Sequence, residues 1–499
     1  MIHSNLTRVS STRLRVKHPY TFAAHLFATE DVPIERRAVD ELLRLLEVQR
    51  TLETLNAHCQ AGMEARIEGV ALTPDFHKSA GIPVGTVIQA NGFVLPQAIG
   101  NDIGCGMRLH TTGLSREALE GHLERLEPRL RHLFFEGGRD LPMTGIQREA
   151  LLRGGVAGLR STVPSSQDQG LWRHVQEQNT SQETEHTEGG GSLPVQKLHG
   201  VHDWIGEPDR LSWDGQSGSL GGGNHFAELQ YVHRVLDAPA AYAWGLREGQ
   251  VTVMVHSGSL GLGHLAGRLA SDRAKGAYPQ GLAYPDNGLF PLLINEQKAA
   301  ALRGVQDTLN TAGNFAAVNR MFLALMVKAA LQEALGDFAF PLVYDAAHNF
   351  IWPDAGRWLH RKGATPARGY QQMQGGAFAY TGEPVLVPGS MGASSFVLAG
   401  QGHPQAFHSA SHGAGRKQSR GAAMHTGEAE FQRFLQEFRV VTPLDWRTAR
   451  ADIRRQKLDE LRQEAPFAYK GIGPVVQTLE QAGIARPVAE LRPLLTVKG

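Results

Sequence analysis

Cysteine is scarce. Cys59 and Cys105 are the only two in 499 residues, which excludes a disulfide-stapled secreted scaffold and fits a reducing compartment. Long apolar runs are missing too. No stretch of about 18 apolar residues occurs, so neither a transmembrane helix nor a membrane partner is expected. Met1 to Tyr20 mixes Arg, Lys, Ser and His without an apolar core, so no signal peptide is expected and a cytoplasmic location is predicted. The chain also lacks a charge excess: 50 Lys and Arg stand against 49 Asp and Glu, a formal net charge of +1. No global field advertises a polyanionic partner, although a local basic groove is enough to hold nucleic acid. Internal repeats are absent. Strand-like and helix-like segments do not alternate regularly, which argues against a doubly wound sheet and for an α+β fold.

What is present is globular: 41% hydrophobic and 20% charged residues. Residues 35–60 place apolar side chains at helical spacing and predict an amphipathic helix. Residues 70–110 are short apolar runs broken by Gly and Pro, and predict strands and tight loops. Helix is predicted again over 115–160. Residues 161–200 are polar, poor in aliphatics and end in a Gly run, which predicts a mobile insertion. Strands and Gly-rich loops follow over 218–265. A long Ala- and Leu-rich helix is expected over 297–337, broken near Gly313. Strands and loops resume over 340–425, and 429–463 and 474–490 read as helical.

Chemistry concentrates in the Gly-rich loops. Asp102 and Cys105 lie three apart in GNDIGCG, where a carboxylate and a thiolate can face one cation and the thiolate can bridge two. The plain alternative is a turn Asp beside a small packed thiol. His225 follows SLGGGN, His256 ends the apolar run VTVMV, and His348 ends FPLVYDAA. Each alone is as well read as a core or rim histidine. Three strand-end histidines with Asp-x-x-Cys make a metal cluster the better reading. Ligand softness points to Zn²⁺, since Mn²⁺ prefers harder ligands. Asp345 is either a partner of His348 or a turn residue. His412 sits among small residues in SASHGAGR, where Arg416 could pair with an anion. Ser390 and Ser395 lie in a second Gly/Ser loop suited to phosphate. On its own His412 reads equally as a polar surface residue, and Lys498, next to last, as a frayed terminus.

In order, LTPDFHKSAGIPVG, AIGNDIGCGMR, GGGNHFAEL, HSGSLGLG, DAAHNF, HRKGAT, PGSMGASSFVLAG, SASHGAGR and the terminal VKG resemble the RtcB RNA-splicing ligases. The resemblance runs from about residue 70 to the end and implies one RtcB-like catalytic domain over 1–499, with mixed sheets around a central dinuclear metal site. It implies an RNA ligase that joins 3′-phosphate or 2′,3′-cyclic phosphate ends to 5′-hydroxyl ends in RNA repair or tRNA splicing. The cofactors implied are GTP and two Mn²⁺ ions, so the expected metal moves to Mn²⁺ on family grounds. The partners implied are RNA with broken ends, such as tRNA halves, and an activating helper protein. By the same resemblance Cys105 bridges the metals, Asp102 and His225 complete one site, and His256 and His348 complete the other. His412 becomes guanylylated. The nucleotide pocket takes Asn224, His225, Phe226, Ala227, Glu228, His348, Asn349, Pro388, Gly389, Ser390, Met391, Ser395, His412, Gly413, Ala414, Gly415 and Lys498.

Two positions depart from the family pattern. Leu260 stands where Arg is common, which removes a charge-assisted phosphate contact, and Gly104 stands where Asn is frequent. A dinuclear phosphodiesterase or phosphatase acting on RNA ends, with ligation lost, is the alternative function. A non-catalytic RNA-binding protein is the third.

Overall fold

A computed structural model describes residues 3–59 and 64–499. It is a mixed α/β fold with two large sheets. The first sheet orders its strands Leu6–Ser10, Arg13–Val16, Ala23–Phe27, Arg66–His77, Val84–Asn91, Arg357–Lys362 and Asn349–Asp354. Within it, among the described residues, only the Ala23–Phe27 and Arg66–His77 pair is parallel. The second sheet runs Leu342–Ala347, Gly106–Ser115, Gln250–Ser257, Phe226–Val235, Ala485–Val497, Ser395–Gly400 and Pro384–Val387, with Arg439–Val441 pairing to the long strand Ala485–Val497.

A 37-residue central helix, Ala299–Leu335, packs against the second sheet. By length and composition Glu296–Leu335 could cross a membrane, but 94% of its apolar window is buried inside this fold. It is the core helix, which explains why it is apolar nearly all round. The helix is continuous through Gly313, where a break was expected. A Cβ there would meet Leu193 at 2.8 Å and Phe350 at 3.0 Å. Gly313 is therefore a close-packing position. Gly104 has φ +73° and rests on the same spot, a Cβ on it meeting Gly313 Cα at 3.1 Å.

Two further expectations are corrected. The helix over 35–60 is two helices, Arg36–Leu46 and Val48–Cys59, parted at Glu47; residue 60 lies outside the described residues. Residues 474–490 divide into a helix, Ile472–Gln481, and a strand beginning at Ala485, because Gly483 at φ +68° turns the chain. Residues 161–200 are built into the body. They form the helices Leu171–Gln176 and Thr180–Glu185 and bury Leu171, Trp172 and Val175. Their polar side chains are also placed inside: Glu183 pairs with Arg108, and Glu188 with Arg361. Buried charge needs such partners.

Candidate active site

The site forms where four neighbouring strands of the second sheet end together. Antiparallel pairing brings two C-terminal strand ends to the same edge as two N-terminal ones. Gly106 pairs with both Ala347 and Ser257, and His256 pairs with both Met107 and Phe226. Cys105 precedes Gly106, His225 precedes Phe226, His256 is the penultimate residue of its strand, and His348 follows Ala347. One edge thus collects all four. The next strand, Ala485–Val497, pairs Val497 with Ala227 and so delivers Lys498 beside them.

Side-chain atoms converge accordingly. Asp102, Cys105 and His225 form one group, and Cys105, His256 and His348 a second, the ligand atoms of each lying within 4.8 Å of one another. Cys105 Sγ is 3.3 Å from Nε2 of both His225 and His256. Nε2 of His256 and Nε2 of His348 face each other at 3.3 Å. The remaining ring nitrogens of His225 and His256 face backbone carbonyls. His225 Nδ1–H donates to the Leu220 carbonyl at 3.1 Å, and His256 Nδ1–H to that of Asn224 at 3.1 Å. The His256 Nε2 lone pair is thereby aimed at the thiol, while His225 Nε2 faces both the thiol and Asp102 Oδ2, the latter at 2.8 Å.

Burial pushes the His256 and His348 pKa values well below the ordinary imidazole range, helped by the neighbouring histidines. Both rings favour the neutral form, which keeps one nitrogen lone pair for a cation. Burial, then the Asp102 carboxylate, raises the Cys105 thiol well above its usual value. Burial also opposes ionisation of Asp102, but its hydrogen bond and charge interaction with His225 outweigh this and hold it below the usual carboxylate value. Asp102 Oδ1 is buried without a hydrogen-bond partner among the described residues. Converging lone pairs and an orphaned carboxylate oxygen suit cations, and the shared thiol suits two of them. Gly258 makes room for this. A Cβ there would lie 2.4 Å from Asp102 Oδ1.

His412 stands next to the cluster, its ring centroid 4.6 Å from that of His348. It follows the short strand Ser409–Ser411 and lines a cavity of about 980 Å³ with Asp102, Cys105, His256, His348 and Lys498. His412 Nδ1 bonds Asp75 Oδ2 at 2.6 Å. Asp75 is fully buried, and its other oxygen accepts from the Thr73 hydroxyl at 2.5 Å. Burial opposes ionisation of Asp75, but His412 and the Thr73 hydroxyl prevail and hold its pKa below the usual range. Asp75 lies in one of the segments that carry the family likeness, yet it was not among the expected site residues. The available signal was a carboxylate inside the buried run VALTPDF, which requires a partner.

The other expected residues fall as follows. Asn224, Phe226, Glu228, Asn349 and the loops 388–391 and 412–415 line the cavity. Asn349 braces two sides of it, donating to the Asp102 carbonyl at 3.2 Å and accepting from the Gly363 N–H at 2.8 Å. His225 sits behind the rim. Ala227 is buried in the core. Ser395 turns its hydroxyl to Gln230 and to the Gly389 N–H. Lys498 is buried, not frayed. Its amine donates to the His225 carbonyl at 2.8 Å, and burial lowers its pKa to about 8. Nearby Glu228 is raised to about 7 by burial. Arg416 lines the cavity, but its guanidinium is engaged by Glu464 at 3.1 Å and lies over Tyr469. Leu260 opens the helix Leu260–Gly276 at φ +53°. Asp345 is fully buried and paired with two arginines.

Comparison with known proteins gives a consistent picture. The family model described as tRNA-splicing ligase RtcB matches residues 57–499. The tRNA-splicing ligase RtcB of Thermococcus kodakarensis is 32% identical over 498 residues, covering 94% of this chain and 95% of that protein. The RNA-splicing ligase RtcB of Mycobacterium bovis is 34% identical over 465 residues, covering 85% and 96%. The tRNA-splicing ligase RtcB of Aeropyrum pernix is 31% identical over 495 residues, covering 94% and 95%.

Proposed function

The chain belongs to the RtcB family of tRNA-splicing ligases, and from that premise we propose that it joins RNA 3′-phosphate or 2′,3′-cyclic phosphate ends to 5′-hydroxyl ends, with GTP, two Mn²⁺ ions and a guanylylated His412. The observation that carries this reading is the Asp75–His412 bond of 2.6 Å beside the Cys105 cluster. In the neutral ring that bond puts the proton on Nδ1 and leaves the Nε2 lone pair free for attack.

His412 Nε2 attacks the α-phosphorus of GTP; a P–N bond forms, the bond to the β-phosphate oxygen breaks, and pyrophosphate leaves. Asp75 stabilises the positive charge that the ring acquires, as the carboxylate does in an Asp-His pair. An oxygen of the RNA 3′-phosphate then attacks the same phosphorus, the P–N bond breaks, and the imidazole returns to neutral. The 5′-hydroxyl attacks the activated 3′-phosphorus, its proton passes to solvent, and GMP departs. A cyclic phosphate is first hydrolysed to the 3′-phosphate. Asp102, Cys105, His225, His256 and His348 would hold the two ions, which would supply neutralisation of the charge developing on the phosphate oxygens. The loops 388–391 and 412–415 offer backbone N–H groups to phosphates. Lys498 reaches the guanine in a cavity that Phe226 and Glu228 also line.

The test is joining of a short RNA with 3′-phosphate and 5′-hydroxyl ends in GTP and Mn²⁺. GTP-dependent joining supports the reading. Loss of the 3′-phosphate without joining favours a metal-dependent phosphatase on RNA ends.

A further inference from the structure

Behind the Cys105 cluster lies a buried ionic chain that the reaction does not use directly. Arg320, on the central helix, and Asp345 are 2% and 0% exposed. They form a forked pair, Arg320 Nη2 and Nε reaching Asp345 Oδ1 at 2.7 and 2.9 Å. Arg320 Nη1 points the other way and donates to two carbonyls, Gly104 at 2.6 Å and Ser257 at 3.2 Å. Gly104 immediately precedes Cys105, and Ser257 immediately follows His256. Asp345 lies on the strand that leads into His348. One guanidinium therefore touches the backbone or the strand of three metal-ligand residues that are far apart in sequence.

The chain extends outward. Asp345 Oδ2 also accepts from Arg108 Nη1 at 3.2 Å, and Arg108 Nη2 donates to both Glu183 oxygens at 2.5 and 2.7 Å. Glu183 belongs to the segment 161–200. Two guanidiniums face two carboxylates, so the chain is formally neutral and places no net charge behind the cluster. That neutrality matters where cations bind, because an unpaired guanidinium would repel them. Asn319, one residue before Arg320, adds bonds to the Ser219 and Gly258 carbonyls at 3.0 and 3.2 Å. The loop before His225 and the loop after His256, whose Gly258 lies against Asp102, are therefore tied to the same turn of helix.

We propose that Arg320 is a positioning residue of the metal centre, fixing the spacing of Cys105, His256 and His348 through its fork of bonds to Gly104, Ser257 and Asp345, with Glu183 and Arg108 bracing Asp345 from the far side. The inference rests on the reading of the Cys105 cluster as a metal site. Groups that orient ligands without touching the ion commonly set metal affinity by 10–100-fold. Lysine cannot replace the fork, since a single ammonium cannot serve two carbonyls and a carboxylate in one plane.

The test is titration of the full-length protein with Co²⁺, reading the thiolate-to-cobalt absorption in the near ultraviolet. Arg320→Lys is expected to weaken Co²⁺ binding roughly 10–100-fold and to alter that band, with far-ultraviolet circular dichroism unchanged. A purely structural role predicts a lower melting temperature with wild-type affinity and band, and that result in folded Arg320→Lys overturns the proposal. If Arg320→Lys does not fold, Glu183→Gln decides. A several-fold loss of Co²⁺ affinity supports the proposal, and wild-type affinity overturns it. A wild-type protein that takes up no Co²⁺ overturns the metal-centre reading itself, and the proposal with it.

Discussion

Asp75 and His412 are joined by a 2.6 Å bond between a fully buried carboxylate and the imidazole Nδ1, although 337 positions separate them in the chain. The pair sets which ring nitrogen can act as a nucleophile. Asp75→Asn offers an amide where the carboxylate was, so it favours the wrong tautomer and no longer stabilises the charged ring. We predict that it lowers the rate of guanylylation by roughly 100-fold or more, with GTP binding largely retained. Single-turnover labelling across a range of GTP concentrations separates the two effects.

Cys105 is common to both ligand groups, so its loss falls on both sites. Cys105→Ala is expected to abolish stoichiometric binding of two Mn²⁺ ions, as measured by elemental analysis after equilibrium dialysis. A variant that still holds two ions would sink the bridging role.

Gly258 is required by a neighbour, because a Cβ there would lie 2.4 Å from Asp102 Oδ1. Gly258→Ala should push Asp102 off its ligand position and weaken metal binding by roughly tenfold, while the melting temperature of the metal-free protein changes little. Calorimetric titration with Mn²⁺ checks this.

Acid stability has an identifiable contributor away from the site. His360 is buried, its Nε2 accepts the Leu95 N–H at 2.9 Å, and burial lowers its pKa to about 4. A lowered imidazole pKa means that the neutral ring is favoured in the fold. Its contribution is fully present above the unfolded value of 6.5 and is lost as pH falls through that window to about 4, on the order of 3 kcal/mol. His360→Gln can still accept from Leu95 and should flatten that part of the stability curve. Urea denaturation at stepped pH measures it.

Much of this site could be read from residues alone, for a physical reason. Cys105, His225, His256 and His348 each close or open an apolar strand, and strand ends are where a sheet presents side chains to a ligand. The order in which those strands pair was not readable, because register depends on contacts between segments far apart in the chain. Asp75 was hidden in the run VALTPDF, which is buried throughout and, Thr73 apart, otherwise apolar. Residues 161–200 hide their partners from composition. Glu183 and Glu188 look like solvated charges until Arg108 and Arg361 are placed against them. Gly313 misled in the opposite way, its small size serving close packing in an unbroken helix.

The most direct test is covalent labelling. The protein is incubated with α-labelled GTP and Mn²⁺, denatured and digested, and the labelled peptide is sequenced. The account predicts an acid-labile guanylyl group on the peptide containing His412, lost in His412→Ala and in metal-free protein. Label that persists in His412→Ala, or RNA joining by a wild-type protein that never carries label, would contradict it.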